Sequence, residues 1–224
     1  MNWFPEILSA IPVAIGLWAA SFLLGAVVAV PVTWLRTHRF PVLRLIAATY
    51  IEVFRGIPTL VWLFLVFFGL QSAGLSFTAM TSAVITLGVA SSAYIAETYR
   101  SGLAAVPLTQ HEATTVLGLS PWIAFTRVVL PQARAIIMAG MGSFGVHMFK
   151  ETALASLIGV VEIMNVANYL VERGANGMQV FVTCGAIYML LCVPITWAAR
   201  FLGTVRTRRP AQRPARPHRQ KATV

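Results

Sequence analysis

The sequence predicts an all-α integral membrane protein with five transmembrane helices and a short cytoplasmic helix between the third and the fourth. Three observations predict it. Charged residues make up only 11% of the chain, against roughly 25% in a soluble domain, so most of this surface does not face water. Residues 7–35 and 56–96 carry no charge at all, and each run exceeds the roughly 20 residues that cross a bilayer. The basic residues stand at the borders of these runs instead of lining one face. The net charge of +10 therefore reads as membrane orientation, with no nucleic-acid partner.

The elements follow in order. "MNWFPE" has no basic stretch ahead of the first apolar run, so residues 7–35 are expected to be a retained span and not a cleaved signal. Arg36, His38, Arg39 and Arg44 follow. A second span over about 42–70 is expected to bend at "RGIP", because Pro58 has no backbone N–H to give. Turn formers in "GLQSAGLSFT" (69–78) separate it from a third span over about 79–99. A fourth is expected from Pro131 to about Phe149, and a fifth from Met178 to about Phe201. Residues 1–203 then form one membrane domain, and 204–224, rich in Pro and Arg without apolar periodicity, a disordered basic cytoplasmic tail. Cys184 and Cys192 lie eight apart, roughly 12 Å along a helix, too far for a bridge.

Five spans put the ends on opposite sides. With residues 100–130 and the carboxyl terminus in the cytoplasm, fourteen of the 17 Lys and Arg residues are inside; Arg55, Lys150 and Arg173 are left over. The positive-inside rule selects that orientation. The amino terminus, the 71–78 turn and the Glu162–Arg173 region then lie outside.

Between the third and fourth spans, "PLTQHEATTVLGLSPW" reads as two short helices. Thr109 suits an N-cap, and Glu112 three residues later would complete a capping box. Gly118 suits a left-handed stop, and Ser120-Pro121 a second helix start. A plain loop needs no such punctuation.

Several groups carry chemistry. Lys150 and Glu151 are adjacent ionisable residues at the end of the fourth span, where such groups are costly. Either they neutralise each other or they line a path, where an α-amino acid could meet both charges. Arg55, ahead of Gly56 and Pro58, is either a path residue or the partner of Glu52. His147 and Glu151 share one helix face, but with no second His or Cys nearby no metal site is expected. "GMGSFG" (140–145) matches a dinucleotide fingerprint only on paper, since that motif needs a strand–turn–helix context; small residues for helix packing explain it better. There is no P-loop, so no ATPase site and no cofactor are expected.

Four stretches in order resemble a known family. "EAT…G…VVLP", with Glu112, Ala113, Thr114, Gly118, Leu130 and Pro131, is similar to the EAA loop of ABC-importer permeases, departing at Thr114 where that loop has Ala. "YIEVFRGIPTLVWLFLVFFGL", "AYIAETYRSGLAAVP" and "KETALASLIGV" resemble the polar-amino-acid permease subfamily, which serves His, Glu, Gln, Arg and opines; Ala153 replaces its usual Ser. The likeness covers about residues 10–203.

The resemblance implies a type I importer subunit in a bacterial inner membrane. Glu112, Ala113, Thr114, Gly118, Leu130 and Pro131 would form a coupling helix to the ATPase, and Arg55, Gly56, Pro58, Thr59, Lys150, Glu151 and Thr152 would line the substrate pathway. Implied partners are two ABC ATPase subunits, a second permease subunit in a homodimer or heterodimer, an extracytoplasmic binding protein and an amino-acid substrate. The competing expectation is a self-sufficient channel or proton-coupled carrier using His147, Lys150 and Glu151.

Overall fold

A computed structural model describes residues 3–203, and every regular element among them is helical. The expected tail at 204–224 lies outside the described residues. The elements are α1 (Phe4–Ser9), α2 (Ile11–Thr37), α3 (Pro41–Gly56), α4 (Thr59–Phe64), α5 (Leu70–Ser72), α6 (Ala79–Ala104), α7 (Leu108–Val116), α8 (Pro121–Ala124), α9 (Leu130–Glu151), α10 (Ile163–Glu172) and α11 (Gly177–Gly203). A wide turn at Leu65–Gly69 joins α4 to α5, and another at Phe125–Val129 joins α8 to α9. A tight 3₁₀ turn over Thr152–Ile158 follows α9.

Four stretches are long and apolar enough to cross a membrane: Phe4–Thr37, Ala79–Ala104, Pro121–Ile158 and Gly177–Ala199. The pair Pro41–Gly56 and Thr59–Ser72 makes a fifth if counted as one broken span, bent by 97°. Ile57 is extended (φ −98, ψ 132) at the break. A residue before proline is pushed out of the helical region, and Pro58 itself cannot continue the ladder. The bend is thus where the sequence places it, and it is sharper than a kink. The third helix runs to Ala104, past the expected 99, and the fourth begins at Pro121 instead of Pro131. Pro131 sits just beyond the wide Phe125–Val129 turn, where looser hydrogen bonding accommodates a residue without a donor.

Helix α6 is the centre of the bundle. It packs on α2, α3, α4 and α9, while α11 packs on α9 and α10. Small residues bring α2 and α6 together: Gly25 lies against Ser91 and Gly88, and Thr33 Oγ1 donates to the Ala96 carbonyl at 3.2 Å. The "GMGSFG" stretch lies inside α9 and does the same work. A methyl on Gly140 would come within 2.6 Å of Thr98 on α6, and one on Gly142 would strike Ala199 on α11. Trp18 Nε1 donates to the Gly145 carbonyl at 2.9 Å, tying α2 to α9.

Candidate functional site: a charged cluster at the helix bend and an exposed helical knob

At the bend, residues from four helices form a connected arc. The Arg55 guanidinium, at the end of α3, lies over the Tyr94 ring of α6 at 5.2 Å. Tyr94 stacks on Phe144 of α9 at 5.2 Å, and Phe144 on His147 at 6.1 Å. One turn on, Glu151 stands 3.9 Å from His147 Nδ1. Thr59, the first residue of α4, donates its hydroxyl to Glu151 Oε1 at 3.3 Å. The arc begins before the bend at Gly56–Pro58 and returns just after it. Its cation and its carboxylate are both reachable from outside the chain: Arg55 is exposed, and the His147 and Glu151 side chains are 58% and 28% exposed.

Several expected pairings are corrected here. Glu151 pairs with His147 and Thr59, not with Lys150. Neighbours on a helix diverge by about 100°, which turns Lys150 toward α11, beside a cavity of about 330 Å³ walled by Met164, Phe181, Cys184, Gly185 and Tyr188. Arg55 rests on Tyr94 and not on Glu52. Thr152 is completely buried, its hydroxyl donating to the Phe149 carbonyl at 2.7 Å, so it faces the core and not an open path. Gly56 and Pro58 are exposed and shape the bend. Tyr94 and Phe144 were not legible as site residues, because aromatic side chains in an apolar run carry no local mark of what they touch.

Glu162 was read only as an outer-face charge. It is wholly buried at the start of α10. Its Oε1 accepts the Asn165 N–H at 2.9 Å, and its Oε2 accepts the Tyr188 hydroxyl at 2.6 Å. Burial pushes its pKa above the ordinary carboxylate range, with the Tyr188 and backbone hydrogen bonds opposing.

The second candidate region is the segment from Pro107 to Pro131. Helix α7 starts one residue before Thr109, with Pro107 at the cap and no side-chain cap bond. The expected capping box of Thr109 and Glu112 is therefore absent. Pro107, at φ −58 and ψ 140, sets the entry direction by its ring, and Thr109 falls inside the first turn. Glu112 and Ala113 are exposed while Thr114 is buried, its hydroxyl donating to the His111 carbonyl at 2.7 Å.

The stop is as expected. Gly118 has φ +66, its N–H reaches the Thr115 carbonyl at 3.0 Å, and the Leu119 N–H reaches that of Thr114 at 3.1 Å. This is the two-bond C-terminal motif that favours glycine. Ser120 then caps α8 by accepting the Ile123 N–H. Val106, Val129 and Ala133 form a small core beneath the knob. Leu130 and Pro131 lie exposed on α9 beside it. The tip bares Val116, Leu117 and Trp122, each more than 70% exposed. These three apolar residues were not singled out in the sequence, where they look like core.

The comparisons with known proteins agree with this architecture. Residues 13–205 match the family described as binding-protein-dependent transport system inner membrane component. The octopine transport system permease protein OccM of Rhizobium radiobacter is 36% identical over 197 residues, covering 84% of this chain and 80% of that protein. The probable amino-acid ABC transporter permease protein YckA of Bacillus subtilis is 32% identical over 189 residues, covering 84% of each. A crystal structure of an amino acid ABC transporter with histidines superposes with a TM-score of 0.84 at 28% identity, covering 90% of this chain and 94% of that one. The chain belongs to the family of inner membrane components of binding-protein-dependent transport systems.

Proposed function

We propose that this chain is the permease subunit of a bacterial ABC importer for a polar amino acid or a related compound such as an opine. The relatives named as amino-acid and octopine permeases support the substrate class, and nothing favours a self-sufficient carrier. As a translocation subunit it has an ABC ATPase as its partner and is a multi-pass inner membrane protein. Two ATPase copies, a second permease subunit and an extracytoplasmic binding protein complete the proposed assembly. The amino terminus is assigned to the outside and the carboxyl terminus to the cytoplasm, as the arginine distribution favours.

The observation that carries the substrate reading is the arc from Arg55 to Glu151. A zwitterionic amino acid needs an acceptor for its ammonium and a donor for its carboxylate. Glu151 supplies the first and Arg55 the second, while Lys150 faces the separate cavity against α11. The Arg55–Tyr94 stack holds the guanidinium without neutralising it, since a cation over a ring keeps its charge and donors. The knob at α7 transmits motion from the ATPase, its exposed apolar tip and Glu112 making the contact. A left-handed glycine stop keeps that contact rigid.

Alternating access follows. ATP-driven closure of the ATPases pushes the knob, α6 and α9 carry the push, and the arc at the bend opens to the outside.

Glu151→Gln tests the path. It keeps shape but removes the charge, and a charge-assisted contact is worth roughly 1.5–3 kcal/mol. Uptake by the reconstituted complex should weaken by about one to two orders of magnitude, with assembly intact and the binding protein's own affinity unchanged. Normal uptake by a well-assembled variant would remove Glu151 from the path.

A further inference from the structure

We infer that Glu162 is a positioning residue: through Tyr188 it locks α10 and α11 into one unit and so sets the wall of the cavity beside Lys150. The inference rests on the permease function proposed above and adds the cavity beside Lys150 to the translocation path. A fully buried carboxyl is costly unless its oxygens are satisfied, and Ser, Thr or Asn would cap α10 with less burial. What the longer acid adds is reach. One oxygen caps α10 at the Asn165 N–H, and the other crosses to the Tyr188 hydroxyl on α11. Tyr188 and Cys184, one turn before it, both line the cavity.

The connections of α10 to its neighbours are tight left-handed turns, at Gly159 (φ +88) and Gly174 (φ +89), with open space around each. The Asn165 side chain reaches back to the Ser156 carbonyl only at 3.4 Å. Tyr188 also packs its ring against Phe149 of α9 at 5.5 Å and hydrogen-bonds with Thr152, so the carboxyl ties α10 to α11 where both meet the end of α9. Lys150, on α9, faces the cavity from the other side. Loss of the Glu162–Tyr188 bond would free α10 from this wall and change the cavity's width.

The chain has two cysteines, so Cys192→Ser leaves Cys184 as a sole, buried reporter inside the wall. The test uses the full complex with its ATPase and binding protein in proteoliposomes, alkylated with N-ethylmaleimide. Tyr188→Phe and Glu162→Ala should speed alkylation of Cys184 about tenfold or more. They should also lower the maximal uptake rate several-fold, leaving half-saturation by loaded binding protein unchanged. Glu162→Gln should preserve both readouts, because the amide still accepts from Asn165 and can donate to Tyr188.

Unchanged alkylation in Tyr188→Phe, which removes a single oxygen and should still assemble if Glu162→Ala does not, overturns the lock. So does a Glu162→Gln variant as loose as Glu162→Ala. Faster alkylation with normal uptake refutes the positioning role and detaches this cavity from the path, while the Glu151 result above stands or falls separately.

Discussion

Two short helices outside the spanning helices invite comparison. Helices α7 (Leu108–Val116) and α10 (Ile163–Glu172) have nine and ten residues and end alike. Each stops at a left-handed glycine, Gly118 or Gly174, with the same two-bond closure; in α10 the Ala175 N–H reaches Leu170 and the Gly174 N–H reaches Val171. Their surroundings are opposite. Ile163, Ala167 and Leu170 of α10 are buried against Ile7, Ala14, Val180 and Ile187, whereas α7 buries only Thr114 and bares Leu108, Val116 and Leu117. One helix is part of the protein's own core. The other leaves its apolar side uncovered. Local sequence writes the length and the stop of a short helix, but packing decides whether its apolar side is covered.

The largest expected effect concerns the side of the membrane, since the comparison has most force if the helices lie on opposite faces. Single cysteines at Thr109 and Glu172, in a chain with Cys184→Ser and Cys192→Ser, should differ completely toward an impermeant thiol reagent. Position 172 should react in intact spheroplasts and position 109 only after permeabilisation. Reaction at 109 from outside would break the comparison and the orientation together.

Truncating one buried and one bared leucine comes next. Leu170→Ala should cost about 2–5 kcal/mol, as for other buried leucines, and lower the unfolding temperature of the purified complex. Leu117→Ala, at an exposed site, should change stability by no more than about 0.5 kcal/mol yet weaken co-purification of the ATPase. Equal destabilisation by both would show that α7 is also core.

The smallest effect is at the stops. Valine at Gly118 or Gly174 strains a positive-φ position by on the order of 1–2 kcal/mol, and an added Cβ meets nothing within 4 Å at either site. The local cost should be similar in the two variants. Only Gly118→Val should uncouple ATP hydrolysis from loaded binding protein in the reconstituted complex. Ligand-stimulated transport at the normal rate in Gly118→Val would remove α7 from the coupling role.

How far the sequence reached depends on the distance over which each feature is written. The apolar runs, the break at Gly56–Pro58, the glycine stop at Gly118 and the Ser120-Pro121 restart each depend on a residue and its near neighbours, so they could be read in order along the chain. The start of α7 was misplaced by one signal overriding another. Pro107 fixes the backbone by its ring, and a Thr–Glu capping box has no place once the helix has already begun. The motif residues of the knob were legible as a pattern, but its exposed Val116, Leu117 and Trp122 were not, since an apolar residue looks the same whether it meets its own core or a partner.

By itself, the sequence determined that the chain is a helical membrane protein with a broken second span and a punctuated segment between two others. Those properties follow from the water-to-lipid transfer of contiguous side chains and from backbone restrictions at single Pro and Gly residues. Only the tertiary structure decided that Glu151 meets Thr59, 92 residues away, and that Glu162 meets Tyr188, 26 residues away. It likewise decided that Arg55 rests on Tyr94 and that Lys150 turns from its neighbour toward another cavity. The physical reason is that a charge costs free energy in an apolar surround until a partner is brought to it. Which partner arrives is fixed by how the helices pack, through the small residues of α2, α6 and α9, and no stretch of chain around the charge records that choice.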